Sequence, residues 1–226
     1  MRKRYCSGCA SMESVVTSTS SHEPSPLVDW RPLPRVFFNR QPEVVAPQLL
    51  GKLLVRRIGG EILAGRIVET EAYLGENDAA AHAASGQTPR NAVLFGPPGF
   101  AYVYRIYGIH YCLNVSCLPA GNAGCVLFRA LEPVLGKSEM RRNRGLSGGS
   151  DLRAISEGPG RLCAALQITR EVCNGLDMTA AGELMLCEDG YAAGSVTCGR
   201  RVGIRKDVHL PLRFFLKESG CVSPRR

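Results

Sequence analysis

The stretch KLLVRRIGGEILAGRIVETEAY, residues 52–73, contains two extended apolar-polar runs, 52–58 and 61–73, separated only by Gly59-Gly60. A two-residue Gly-Gly connection supplies the positive φ angles a tight hairpin needs, so this spacing predicts an antiparallel pair. Upstream, residues 44–50, with Pro47 inside and Gly51 just past the end, read as a short helix. Downstream, Tyr102, Val103, Tyr104 and Ile106, then Tyr111, Leu113 and Val115, predict two strands around a turn at Tyr107-Gly108-Ile109-His110. A further apolar run covers 125–131, a basic helix 137–144, a Gly/Ser linker 147–150 and a helix about 160–166. Extended segments follow at 184–186, 195–204 and 212–216. Strands joined by turns, with helices interspersed, point to an α+β fold with a largely antiparallel sheet. Its expected bounds are 32–221, between a flexible Ser/Thr/Pro-rich extension (1–31) and a short tail (222–226).

The chain has 226 residues, one domain's length, and 45% hydrophobic residues suffice to bury a core. No apolar run approaches the roughly 18–20 residues of a transmembrane helix, which predicts a soluble protein with no membrane partner. Lys and Arg outnumber Asp and Glu by 28 to 20, and the resulting +8 favours polyanionic partners. Ten cysteines are scattered rather than paired, with a single Cys6-x-x-Cys9 and no second metal-spaced pair. Cys112, Cys125, Cys163, Cys187 and Cys198 lie singly among apolar residues and read as reduced, core-filling thiols. The N-terminus is basic but lacks the apolar segment of an export signal, and Glu13 and Glu23 weaken a reading of its Ser/Thr run as an organellar presequence.

Glu69, Glu71 and Tyr73 fall at i, i+2 and i+4 and so share one face of the second strand, next to the apolar Ile67-Val68. A solvated strand end and a buried carboxylate with a task are both open on this segment. Arg129, after the apolar 125–128, is the natural counter-charge; beside a carboxylate it would lower the pKa and keep the group ionised, as a base for water must be. Four of seven tyrosines lie within ten positions, Tyr102, Tyr104, Tyr107 and Tyr111. They can be sheet filling, or, with Arg90, Arg105 and Arg129, a surface that stacks bases and neutralises phosphates. His82 alone carries little, and no Cys/His set suggests a metal. Dinucleotide, P-loop and serine-hydrolase signatures are absent. Gly158-Pro159-Gly160-Arg161-Leu162 suits either a phosphate at a helix start or an ordinary turn.

Seven ordered blocks then become recognisable: residues 49–56 (LLGKLLVR), 65–75 (GRIVETEAYLG), 87–91 (QTPRN), 102–108 (YVYRIYG), 126–133 (VLFRALEP), 158–163 (GPGRLC) and 201–204 (RVGI). Together they resemble the alkyladenine (3-methyladenine) DNA glycosylases of the methylpurine type, over about residues 33–216. The resemblance implies a curved, mostly antiparallel sheet with flanking helices, similar to the C-terminal domain of formyltransferases. It implies base-excision repair: an alkylated or deaminated purine is flipped out of duplex DNA and its N-glycosidic bond hydrolysed, leaving an abasic site without strand cleavage. By position, Glu71 matches the general base, and Arg129 with the Val202 backbone matches the groups holding the attacking water. Tyr73, His82 and Tyr104 match the walls of the base pocket, Asn114 the group that excludes guanine, and Tyr107 the wedge entering the minor groove. A monomer acting on double-stranded DNA with damaged purines, needing neither metal nor organic cofactor, is implied. Its compartment would be the cytoplasm and nucleoid in a bacterium or the nucleus in a eukaryote. Two other classes remain in view, a non-catalytic nucleic-acid-binding module of the same fold and a thiol-redox or zinc protein.

Overall fold

β2, Leu53–Ile58, and β3, Glu61–Tyr73, form the expected hairpin. Ile58 pairs with Glu61, and both connecting residues, Gly59 and Gly60, hold left-handed φ angles of 58° and 84°. Two successive positive φ values are those of the turn whose twist matches the strands it joins, and a side chain at either position would be strained. The computed structural model that shows this describes residues 30–149 and 151–223.

The 13-residue β3 organises the sheet because it is longer than either neighbour on one edge. Its first half pairs with β2, and further along Glu69 to Glu71 pair with β9, Arg213–Leu216. Its other edge is covered by β6, Cys125–Leu135. From β6 the sheet continues to β5, His110–Ser116, and β4, Ala101–Ile106. From β2 it continues to β7, Leu184–Glu188, and the two-residue β1, Arg31–Pro32, while β9 carries β8, Val196–Gly199. Every pairing is antiparallel and the sheet curls, giving one α+β domain.

Three register shifts interrupt the β3–β6 ladder, one between Ala64 and Gly65, where Val134 is skipped, and two that flank Glu69. Ile67 faces Leu131, Glu69 faces Ala130 and Thr70 faces Phe128, so Val68 is supernumerary on β3 and Arg129 on β6. Such insertions re-aim side chains and recur beside active sites. Here Thr70 turns to the helical side, donating to the Ala46 carbonyl at 3.0 Å, whereas Glu69 and Glu71 face Arg129.

Short helices cover the faces: α1, Arg35–Phe38; α2, Pro42–Leu49; α3, Lys137–Asn143; α4, Leu152–Ser156; α5, Pro159–Ala165; and α6, Arg170–Cys173. α2 starts two residues before the expected 44 because Pro42, lacking an N–H, suits the first turn, and it buries Val45, Ala46 and Leu49. The main core joins these to Phe38, Leu54, Ile67, Val68, Phe128, Leu131 and Leu162. A smaller cluster of Leu53, Val55, Ala64, Met185 and Cys187 packs with Trp30 and Ile62.

Several expectations need correction. Trp30 and Arg31, assigned to the extension, already pack on or pair with the sheet. Ser223, assigned to the tail, is tied to the sheet: its backbone N–H and hydroxyl both donate to buried Glu69. The expected extended run 195–204 is a strand only over Val196–Gly199; residues 200–204 form a loop. Cys198 is exposed rather than core-filling, whereas Cys112, Cys125, Cys163 and Cys187 are buried and free. Residues 1–29 with Cys6 and Cys9, Ser150, and the tail beyond Ser223 lie outside the described residues. Among the described residues no helix is long and apolar enough to cross a membrane.

Candidate functional site

Glu71 is fully buried where β3 lies between β6 and β9. Its Oε1 accepts from the Val202 N–H at 2.7 Å and lies 3.3 Å from an Arg129 nitrogen; its Oε2 accepts from the Tyr73 hydroxyl at 3.0 Å. Burial pushes the Glu71 carboxyl above its ordinary 4.5, and Arg129, the Val202 N–H and the Tyr73 hydroxyl only partly offset it. The sequence reading had Arg129 winning this balance. It does not, because desolvation disfavours the charged form and Arg129 is divided between two carboxylates. Glu69, also fully buried, accepts Arg129 Nε at 3.0 Å and Arg213 Nε at 2.6 Å.

Behind Tyr73 lies a second buried ion pair. Arg201 donates to both oxygens of Asp78 and to the Ala72 carbonyl, and its guanidinium stacks 4.6 Å from the Tyr73 ring centre. Burial alone would raise Asp78, yet Arg201 and the N–H groups of Leu74 and Ala80 outweigh it and hold the carboxyl below its usual value. This pair fixes the residue preceding Val202 to the turn after β3, and so holds the Val202 N–H against Glu71. The same loop is tied down by Asp207, whose carboxylate accepts from the Ala79 N–H at 2.7 Å.

In front of these groups opens a cavity of about 830 Å³. Tyr73, His82, Tyr104, Asn114, Arg129 and Val202 all line it. Glu71 does not; it stands behind Tyr73, Arg129 and Val202. The His82 and Tyr104 rings meet edge to face at 4.3 Å between centres, and His82 Nδ1 shares a 2.9 Å hydrogen bond with the Tyr102 hydroxyl. Burial, aided by Arg90, lowers the His82 pKa, so the imidazole is neutral at pH 7. Burial also pushes Tyr102 and Cys125 up to about 12 and Cys112 up to about 11, leaving these groups uncharged. Asn114 is fixed at both ends, its Nδ2 donating to the Tyr102 carbonyl at 3.1 Å and its Oδ1 accepting from the Cys125 thiol at 3.7 Å. An aromatic-walled recess with neutral polar groups and one carboxylate behind it suits a flat heteroaromatic ring, with proton transfer at its rear.

Tyr107 stands at the mouth, on the β4–β5 turn closed by the Ile109 N–H to the Ile106 carbonyl. Tyr107 and Gly108 both have positive φ, 49° and 72°; glycine takes that conformation freely and tyrosine under strain, and the Tyr107 side chain at the tip is 87% exposed. Arg144, Arg161, Arg205 and Lys206 also border the cavity, as does the start of α5 at Gly158, Pro159 and Gly160. The mouth therefore carries positive charge.

The structure brings together the residues that the family resemblance matched by position, Glu71, Arg129, Val202, Tyr73, His82, Tyr104 and Asn114 in one site, with Tyr107 at its edge, whereas Arg90, Arg105 and Tyr111 do not line the cavity. The sequence reading gave Asp78, Arg201, Arg213 and Ser223 no role, and Tyr102 only a place in the tyrosine cluster. Tyr102 and Arg201 lay inside quoted blocks, and their neighbours Tyr104 and Val202 were a usable signal. Nothing marked Ser223, which reaches Glu69 across 154 positions. Among the described residues no cluster of three or more His, Cys, Asp or Glu side chains could hold a metal ion.

Comparison with known proteins gives a consistent result. Residues 36–220 match the family model of methylpurine-DNA glycosylase. A candidate 3-methyladenine DNA glycosylase of Koribacter versatilis is 57% identical over 203 residues, covering 89% of this chain and 98% of the relative. One from Methanocella arvoryzae is 47% identical over 196 residues, covering 85% and 96%, and one from Rhodopseudomonas palustris strain BisB18 is 49% identical over 191, covering 84% and 90%.

Proposed function

The chain belongs to the methylpurine-DNA glycosylase family, and on that premise we propose that it excises alkylated or deaminated purines, 3-methyladenine foremost, by flipping them from duplex DNA into the aromatic cavity. It is a DNA glycosylase, a hydrolase of N-glycosyl bonds, and DNA is its substrate.

The observation that carries the mechanism is Glu71 held by Arg129 and the Val202 N–H directly behind the cavity wall that those two residues form. A water between these groups and the sugar carbon loses its proton to Glu71 as it attacks. The carboxylate also opposes the positive charge that develops on the sugar. A carboxyl raised by burial is a stronger base once ionised, and nearer the working pH. The electron-rich faces of Tyr73 and Tyr104 favour a purine made cationic by alkylation, which is also the better leaving group. Asn114, with its amide fixed at both ends, excludes the 2-amino group of guanine. Tyr107 fills the gap left in the stack, a role its exposure and strained turn support. The products are free base and an abasic site.

The test is release of free base from duplexes carrying hypoxanthine or ethenoadenine, and from methylated DNA, by wild type and Glu71→Gln in EDTA. Wild-type release that falls by about a hundredfold or more in Glu71→Gln, with DNA binding retained, is the expected result. Binding without release from any substrate would replace this reading with a non-catalytic nucleic-acid-binding module.

A further inference from the structure

We propose that Glu69 and the C-terminal Ser223 form a positioning unit for the reaction, acting through Arg129. The inference rests on the reading of Glu71 as the base and concerns what holds its partner in place.

Glu69 Oε1 accepts from three groups, Arg129 Nε at 3.0 Å, Arg213 Nε at 2.6 Å and the Ser223 hydroxyl at 2.8 Å. Its Oε2 accepts from the Ser223 N–H at 2.8 Å, and Arg213 Nη2 returns to the Ser223 carbonyl at 2.9 Å. Glu69, Ser223 and Arg213 thus form a closed ring of hydrogen bonds. A guanidinium is planar and rigid, so pinning Arg129 at Nε also sets the direction of its terminal nitrogens, one of which meets Glu71 at 3.3 Å. Arg213 matters for charge. With Glu69 alone, the single positive charge of Arg129 would serve two carboxylates; with Arg213, two cations balance Glu69 and Glu71. Ser223 and Arg129 both line the cavity, so the C-terminal strap is part of the wall that the sugar and water would meet.

The charged and titratable groups facing Glu71 are Arg129 from β6, Tyr73 and Glu69 from its own strand, Cys112 from β5, and Arg201 from the loop after β8. Removing the negative charge of Glu69 leaves the cations in excess and lowers the Glu71 pKa. Glu69→Gln also sets an amide against the Ser223 N–H, donor against donor, and frees the strap.

The experiment uses the full-length protein and two readouts. Base release is measured as kcat and KM against pH on a duplex with one ethenoadenine. The Glu71 carboxyl is titrated by NMR in protein carrying carbon-13 glutamate, without DNA. Ser223→Ala, which keeps the N–H and loses the hydroxyl, should lower kcat by about tenfold, within the roughly hundredfold that misplacing a reacting group can cost, while KM stays unchanged. Ser223→Thr should restore it. Glu69→Gln should lower kcat further and move the Glu71 titration down by about one pH unit. If Glu69→Gln does not fold, Ser223→Ala and Ser223→Thr decide the matter. Folded variants with lower melting temperatures but wild-type kcat and an unmoved Glu71 titration would overturn the proposal. A wild type inactive on every duplex, with the titration shift present, would overturn the catalytic reading of Glu71 while leaving Glu69 as the group that sets its ionisation.

Discussion

Replacing Arg201 with Met leaves Asp78 as a carboxylate with no exposure to water and only the Leu74 and Ala80 N–H groups as partners. Breaking a buried pair by removing one member costs about 3–5 kcal/mol, since the remaining charge is neither solvated nor neutralised. In a domain of this size each kcal/mol moves the midpoint by roughly 2–4 °C, so Arg201→Met should melt about 6–20 °C lower. Asp78→Asn should cost a similar amount, because it strands Arg201. The double variant should recover part of the loss, with a coupling of about 1–3 kcal/mol. Urea unfolding of the four proteins at neutral pH measures this cycle. Asp78 is held below its usual value, so the pair's contribution is complete above the unfolded carboxyl's 3.8 and is lost only as pH falls through the lower folded value. The coupling should therefore be undiminished at mildly acidic pH. Single variants that each lose under about 1 kcal/mol, or a double variant that is simply additive, would refute the reasoning.

Other expectations concern the base, the wedge and its turn. On the proposed mechanism, in which an ionised Glu71 takes the proton, base release should rise with pH through a limb above 4.5, because burial raises that carboxyl; a limb at or below 4.5 in single-turnover rates contradicts this. The same shift means that the folded protein binds that proton more tightly than the unfolded chain, so the contribution of Glu71 to stability is greatest below 4.5 and declines as pH rises to the folded value. Glu71→Gln should accordingly melt above wild type at neutral pH, with the difference closing toward 4.5 by calorimetry. Tyr107→Ser should shorten the lifetime of the complex with damaged DNA while leaving affinity for undamaged duplex, which is phosphate driven, nearly intact; equal losses on both remove the wedge role. Gly108→Ala should cost about 1 kcal/mol in urea melts, from its left-handed φ alone, since nothing lies within 4 Å of an added methyl group.

Local chemistry made much of this molecule legible from its sequence. Gly59-Gly60 announced the β2–β3 hairpin because two adjacent positive φ values need glycine, and Tyr107-Gly108 marked a turn for a related reason. The i, i+2 spacing of Glu69 and Glu71 put both on the Arg129 side of β3, as alternation requires. What stayed hidden depends on partners far away in the chain. β1 has only two residues, and its pairing with β7 spans more than 150 positions. The helices α1 and α6 have four residues each, too few for an apolar period. Ser223 is an unremarkable serine until Glu69 is beside it. The Glu71 pKa was misjudged for another reason: a sequence shows that a carboxylate and an arginine are available, not how much water each has lost.

The two register shifts that flank Glu69 carry a consequence for how such a chain can change. Before them, Arg66 faces Glu132 and Ile67 faces Leu131; after them, Thr70 faces Phe128 and Glu71 faces Leu127, so the extra Val68 on one strand is cancelled by the extra Arg129 on the other. A supernumerary residue lies outside the ladder, so losing Val68 alone would leave Ile67 opposite Leu131 and Glu69 opposite Ala130 and keep Glu71 and Tyr73 on their face, whereas losing a paired residue would shift the register by one position and turn them over. A single-codon deletion at position 68 is thus compatible with the register, while one at 129 keeps the register but removes the arginine shared by Glu69 and Glu71. In this stretch changes of length are confined to residues that stand outside the ladder, and the paired positions can drift only by point substitution.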